Sequence, residues 1–502
     1  MEKESNPAVE QYESVLAVSA AGSAKEAESA VSPYLDPEKE KKLRRKIDCY
    51  VVPPVALLYL FCFIDRANIG NARLANFEKD LGLKGQDYNM VLSIFYISYA
   101  LCEMPSVLLC KYVGPGWFLP LTTLFFGIVT IGTAFCETKG QIIACRFLLG
   151  IFEAGMLPGV AYYLSRWYRH AELSFRLGMY MLMTPTAGAF GGLLASAILS
   201  LDHFGSLTAW RMIFGIEGII TTGLGFILLF LMTDNPSTAR WLTAEEKELA
   251  LARVVSERVG QEEVVDKMNF AKLKNGISNP ITLVTAFIFL CGNVVVLGIS
   301  FFLPTIIRAI YPGRTTVQQQ LLTVPPYVVG AFCLLTFSWM ATKYNTRQIF
   351  LFMSAPTVMA GYAILLGSQN PNVRYAGVFL AASCAFLGGS LSNAQVSANT
   401  VSDTARSVAI GTNVMMGYFG GLIATWTYLP WDGPMYPIGN GLNLAVSGCI
   451  GIASIAGLVW MKADNKKRDQ MAPAEREELL AGLTHEQIAD LDWRHPDFRW
   501  NP

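Results

Sequence analysis

Apolar residues run along this chain in long blocks, and charged residues are confined largely to the gaps between them. A block of about 20 residues, wound as a helix rising about 1.5 Å per residue, matches the ~30 Å hydrocarbon core of a bilayer. Blocks near that length fall at 49–72, 88–110, 117–136, 141–164, 176–200 and 210–232, and again at 280–303, 317–341, 348–368, 374–397, 407–429 and 440–461. The pattern predicts an all-α membrane protein with twelve transmembrane helices in two pseudo-symmetric six-helix bundles. Between the two sets lies the charged stretch Asp234–Gly276, entered by an Asn-Pro turn and helical in spacing over "LTAEEKELALARVV". It is too polar to span and reads as a cytoplasmic linker.

Lys and Arg are unevenly distributed over the gaps. "EKEKKLRRK" before the first block, the loop with Arg166, Arg169 and Arg176, the central linker and "KADNKKR" after the last block all fall on one side of a twelve-span layout. The opposite loops carry fewer, such as Lys79, Lys84, Lys139, Arg308 and Arg314. The positive-inside rule therefore places both termini in the cytoplasm. The run Lys39–Lys46 is a topology signal on this reading; contact with anionic lipid, or a short surface helix, is the other use of such a run. The resulting organisation is a disordered N-terminal tail (1–40), a first bundle (41–233), the linker (234–278), a second bundle (279–462) and a C-terminal tail (463–502).

Charges inside the blocks are the informative exceptions. The apolar stretch before Asp65 and Arg66, from Cys49 to Ile64, is 16 residues long. That covers only about 24 Å of a ~30 Å core, so the helix is expected to continue through "ANIGNA" and carry both charges within the membrane. A charge there costs several kcal/mol unless it is paired or faces an aqueous cavity. The fourth block holds Arg146 and Glu153, seven residues apart in "CRFLLGIFE". That spacing puts both on one helix face about 10 Å apart, too far to pair with each other, and Asp65 and Arg66 offer the opposite signs. The last six blocks contain polar residues such as Asn293, Gln395, Asn399 and Asn413 but almost no charge. One bundle thus carries charge and the other is equipped to complete a pocket with hydrogen bonds. Glu103, Arg211 and Glu217 lie nearer to helix ends or neighbouring helices and are expected to make structural pairs.

Composition agrees with a membrane protein: 52% hydrophobic and 16% charged residues, with a mean hydropathy of +0.36. The 39 basic and 39 acidic residues cancel, which excludes the strongly basic balance of a nucleic-acid partner. The polar N-terminal segment has neither an apolar core nor a cleavage site, so it is not a signal peptide. The ten cysteines are scattered without CxxC pairs and read as small core- or lipid-facing residues. No HExxH motif, Ser/His/Asp grouping or Cys/His cluster occurs, and the four histidines fall in loops or the tail. No enzyme activity, metal or cofactor is expected.

Four stretches, "FIDRANIGNARL", "ISYALCEMPS", "CRFLLGIFEAGMLPGVAYYLSRWY" and "WRMIFGIEGIIT", occur in that order and together resemble the anion:cation symporter branch of the major facilitator superfamily, and within it the fungal allantoate and nicotinate permease-like subfamily. The resemblance runs from about Lys41 to the tail, whose "HPDFRW" is also similar. It implies a secondary transporter, a monomer, that takes up a small organic carboxylate with a proton across the plasma membrane. By motif, it assigns Arg66 to the substrate carboxylate, Glu153 to proton coupling, Asp65 and Arg146 to the same charge network, and Tyr99 to substrate contact. Asn413, in "GTNVMMGYFGG", matches mainly through its glycine pattern and is the third substrate-binding candidate. The loop after the second block departs from the superfamily pattern G-x-x-x-D-R-x-G: Lys111 stands where the acid would be. Efflux of an acidic metabolite is the alternative direction, and a non-transporting nutrient sensor a more distant one. The substrate, the lipid bilayer and the proton are the expected partners.

Overall fold

The structure, a computed structural model, describes residues 37–168, 172, 176, 179–256, 270–480 and 491–501. Most of the expected N-terminal tail, together with Arg169, His170 and His485, lies outside the described residues. Among the described residues, twelve helices are long and apolar enough to cross a membrane. Spans 1 to 6 are Glu38–Leu74, Asp87–Val113, Pro115–Thr133, Lys139–Ser165, Met179–Leu199 and Trp210–Leu231. Spans 7 to 12 are Pro280–Ile310, Thr316–Tyr344, Arg347–Gly367, Pro371–Ala398, Ala405–Ala424 and Pro437–Asp469. Large apolar side chains such as Leu101, Met104, Phe230, Trp339 and Ile452 stand exposed around the outside, a surface suited to lipid.

The two halves repeat one packing scheme. Span 1 packs on span 5, span 2 on span 4 and span 3 on span 6; likewise span 7 packs on 11, 8 on 10 and 9 on 12. Glycines allow the closest of these approaches. A Cβ on Gly218 would stand 2.7 Å from the Ile131 amide in span 3, and one on Gly330 of span 8 would stand 2.8 Å from the Ala382 carbonyl oxygen in span 10.

Span 1 begins earlier than its apolar block, because the basic run forms its first turns and acids hold that run in place. Lys46 pairs with Glu246 at 2.6 Å, Arg44 with Glu172 at 3.3 Å, and Asp48 receives Arg176 at 2.7 Å. The helix passes Asp65 and Arg66 and ends at Leu74, as the length argument requires. Span 12 also outruns its block, to Asp469. The last residues fold back against it, with Arg468 donating to the carbonyls of Trp493, His495 and Phe498, and Trp500 packing on Ile281 and Met461. The end of the chain is thus a docked segment that ties spans 7 and 12 together.

The halves meet most closely at the end of the bundle opposite the chain termini. There Asn89 donates to the Thr425 carbonyl at 2.6 Å, Ser93 and Thr425 share a hydroxyl contact of 2.7 Å, and Gln320 donates to the Asn71 carbonyl at 3.1 Å. Arg73, paired with Glu78 at 3.0 Å, reaches Thr305 across the same seam.

Candidate functional site

Span 4 is positioned from both ends. Thr138 and Gln141 form a capping box at its start, and the helix is interrupted at Ala154–Gly155, directly after Glu153. At its middle, a Cβ on Gly150 would collide with Ser98 Oγ and approach the Phe95 carbonyl to 2.5 Å. Spans 2 and 4 therefore touch backbone to backbone, which brings Phe95 and Tyr99 up to the face carrying Glu153.

Arg66 closes the arrangement from span 1. Its Nε donates to Glu153 Oε2 at 2.6 Å, and its guanidinium carbon lies 5.1, 5.3 and 4.9 Å from the ring centres of Phe63, Phe95 and Tyr99. The aromatic faces add cation–π attraction to the ion pair. Cys62 Sγ donates to the same carboxylate oxygen at 3.2 Å. Glu153 is fully buried, and its Oε1 has no partner among the described residues.

Successive helix residues point about 100° apart, so Asp65 faces away from Arg66. It accepts a hydrogen bond from Thr130 of span 3 at 2.9 Å, and its Oδ2 has no partner among the described residues. Arg146 lies 5.6 Å from the Phe214 ring centre, with Nε and Nη2 unbonded and no ion pair among the described residues. Of the two cross-helix pairs suggested by charge sign, this conformation forms Arg66–Glu153; among the described residues Asp65 and Arg146 make no ion pair.

A cavity of about 90 Å³ lies between the halves in front of Arg66. Among the described residues Arg66 is the one charged residue in its lining, with the hydroxyl-bearing rings of Tyr59, Tyr96 and Tyr99 on the same side. The second half contributes Asn293, Ser390 and Tyr418 among apolar rings and glycines. Asn413 is not in the lining: it is buried, accepts from Thr285 at 3.2 Å and donates to Asn393 at 3.1 Å. Span 11 presents Val414, Gly417 and Tyr418 to the cavity in its place.

Tyr418 was not legible as a site residue. Its ring centre lies 4.7 Å from that of Tyr99, and its hydroxyl donates to Glu103 Oε1 at 3.1 Å, so Glu103 pairs across the two halves beside the cavity rather than with a neighbouring helix of its own half. The one available signal was the glycine row around it, since Gly417 and Gly420 let span 11 close on Phe289 and Leu290 of span 7. Arg211 does make structural contacts, with the Cys136 carbonyl at 3.0 Å and Asp80 at 3.7 Å. Glu217 is buried with neither oxygen bonded among the described residues, so its expected pair is not formed.

An acid of the linker meets the start of span 3, next to the loop after span 2. Lys111 is exposed, whereas Asp234, at the start of the linker, accepts from the Gly116 amide at 3.1 Å and pairs with Arg166 at 2.5 Å. Further along, Arg253 reaches Glu172 at 2.7 Å and Glu40 at 3.0 Å, fastening the linker helix Ala244–Ser256 to span 1 and the span 4–5 loop. Burial pushes the Glu172 carboxyl up, but Arg253, Arg44 and Arg176 outweigh it and hold the group below the usual glutamate range.

Comparison with known proteins gives a consistent result. Residues 55–425 match the sequence profile of the Major Facilitator Superfamily. An uncharacterized transporter of Schizosaccharomyces pombe is 32% identical over 471 residues, covering 93% of this chain and 91% of that protein. The high-affinity nicotinic acid transporter of Saccharomyces cerevisiae is 29% identical over 432 residues, covering 86% and 79%. Among solved structures, a bacterial homologue of the human lysosomal transporter Spinster, inward-facing and unoccupied, superposes with a TM-score of 0.62 over 81% of this chain and 95% of that one. At 15% identity that likeness concerns the fold.

Proposed function

Since the chain belongs to the major facilitator superfamily, and is a membrane transporter rather than an enzyme, we propose that it is a proton-coupled symporter of the anion:cation symporter branch that takes up a small organic carboxylate by alternating access. The observation that carries this reading is the position of Arg66, the charged residue of the cavity lining, already engaged by Glu153. The nicotinic acid transporter among the relatives supports a carboxylate substrate.

In this mechanism the substrate carboxylate and Glu153 compete for one guanidinium. A substrate anion that takes Arg66 leaves Glu153 buried without a counter-charge, a state costing several kcal/mol. A proton on Glu153 removes that cost, so anion and proton are accommodated together and only then do the halves rock. Asp65 and Arg146, not ion-paired in this conformation, pair as the network rearranges around the protonated Glu153. Tyr99 contacts the substrate beside Arg66. Asn293 and Ser390 take the hydrogen-bonding share that the family resemblance assigned to Asn413, which supports the wall from behind. Both halves of the cavity come from one chain, which supports a monomeric unit. The distribution of Lys and Arg supports cytoplasmic termini, and the family resemblance is what suggests the plasma membrane.

Proteoliposomes under an imposed pH gradient, offered labelled nicotinate, allantoate and pantothenate, test the reading. Accumulation of at least one acid, unmodified, is expected. Glu153→Gln should retain substrate exchange and lose accumulation; normal accumulation by this variant would overturn the coupling role.

A further inference from the structure

All ten cysteines are free thiols, but two of them are not isolated. Cys136 lies in the turn between spans 3 and 4, Cys145 lies within span 4, and their sulphurs are 3.6 Å apart. The turn is held on both sides of Cys136. Arg211 grips the Cys136 carbonyl at 3.0 Å, and Thr138 with Gln141 caps the helix that follows. Cys136 is buried, while Cys145 is partly exposed. From this contact, a disulfide needs an approach of only about 1.5 Å to reach its bond length of about 2.05 Å.

We propose that Cys136 and Cys145 form an oxidisable dithiol whose disulfide staples the span 3–4 turn to the helix bearing Arg146 and Glu153. The oxidant is a small-molecule disulfide such as oxidised glutathione. The partly exposed Cys145 attacks one of its sulphurs as the thiolate, releasing one thiol and leaving a mixed disulfide. Cys136 then attacks the Cys145 sulphur, forming the internal bond and releasing the second thiol. Two S–H bonds are exchanged for one S–S bond; two electrons and two protons leave with the oxidant as two thiols. The product closes a short loop around the start of span 4 and restrains the helix directly before Arg146.

The test uses the purified full-length protein in lipid nanodiscs and needs no transport substrate, so it stands or falls separately from the carboxylate reading. After incubation with oxidised glutathione, free thiols are alkylated and the protein is digested with trypsin. Cleavage after Lys139 places the two cysteines in different peptides. The expected result is one peptide pair linked through Cys136 and Cys145, released by a phosphine reductant and absent from Cys145→Ser. The oxidised wild type should also melt at a higher temperature than the reduced form, a difference that Cys145→Ser lacks. Alkylation of both cysteines after oxidation, or a glutathione adduct that persists on Cys145 without the link, would overturn the proposal. The wild-type digest decides this whatever the stability of the variant.

Discussion

Arg66 holds three rings and a carboxylate at once, and each contact constrains what can replace it. Arg66→Ala should weaken carboxylate binding by about 100-fold, the equivalent of ~2.7 kcal/mol for removing a buried charged partner. Arg66→Lys should restore little, because an ammonium lacks the planar face that lies against Phe63, Phe95 and Tyr99. Scintillation-proximity binding with the transported acid measures both; affinity unchanged in Arg66→Ala would remove the anchoring role. Tyr418→Phe is expected to keep the ring contact with Tyr99 but lose the bond to Glu103, altering transport rate more than affinity. At this scale the four charges were legible because a charge within an apolar block is conspicuous in one dimension. Tyr418 and the cysteine pair were not, since an aromatic or a thiol in an apolar helix is ordinary until its neighbour from another helix is known.

Among the elements, the linker helix shows how surface charge becomes structure. Arg253 is almost fully buried between Glu40 and Glu172, and Trp241 stacks on Tyr50 and Trp167 close by. Because the Glu172 carboxyl is held below its ordinary range, the folded state favours its ionised form. Its contribution to stability is therefore complete above the unfolded value and is lost as pH falls through the folded one. Glu172→Gln should lower the melting temperature by a few degrees near neutrality, with the gap to wild type narrowing on acidification. Thermal unfolding from pH 7 to 3 checks this, and a gap that widens towards acid contradicts the assigned sign. The positions of all twelve spans could be read from apolar block length, but the break after Glu153 could not, because Gly155 is dictated by the approach of Phe118 from span 3.

For the molecule as a whole, the proposed alternating access makes the seam opposite the termini the gate on one side of the cavity. Gly70 sits on that seam, where a Cβ would stand 2.5 Å from the Phe301 carbonyl oxygen. Gly70→Ala should hold the halves apart there and slow uptake roughly tenfold for a ~1.4 kcal/mol change in the balance of states. Spin labels at Lys84 and Arg314, both exposed on that side, should report a longer separation; an unchanged distance would exclude the effect. The sequence by itself determined the number of spans, their grouping as six and six, and the presence of buried charge in the first half. Those follow from bilayer thickness and the cost of desolvating charge, which act on each segment alone. Tertiary structure alone decided which charges meet: Arg66 with Glu153, Asp65 with Thr130, Glu103 with Tyr418, Cys136 beside Cys145. Those contacts depend on the rotation and crossing of helices, set by where glycines let backbones touch, and no single segment contains that information.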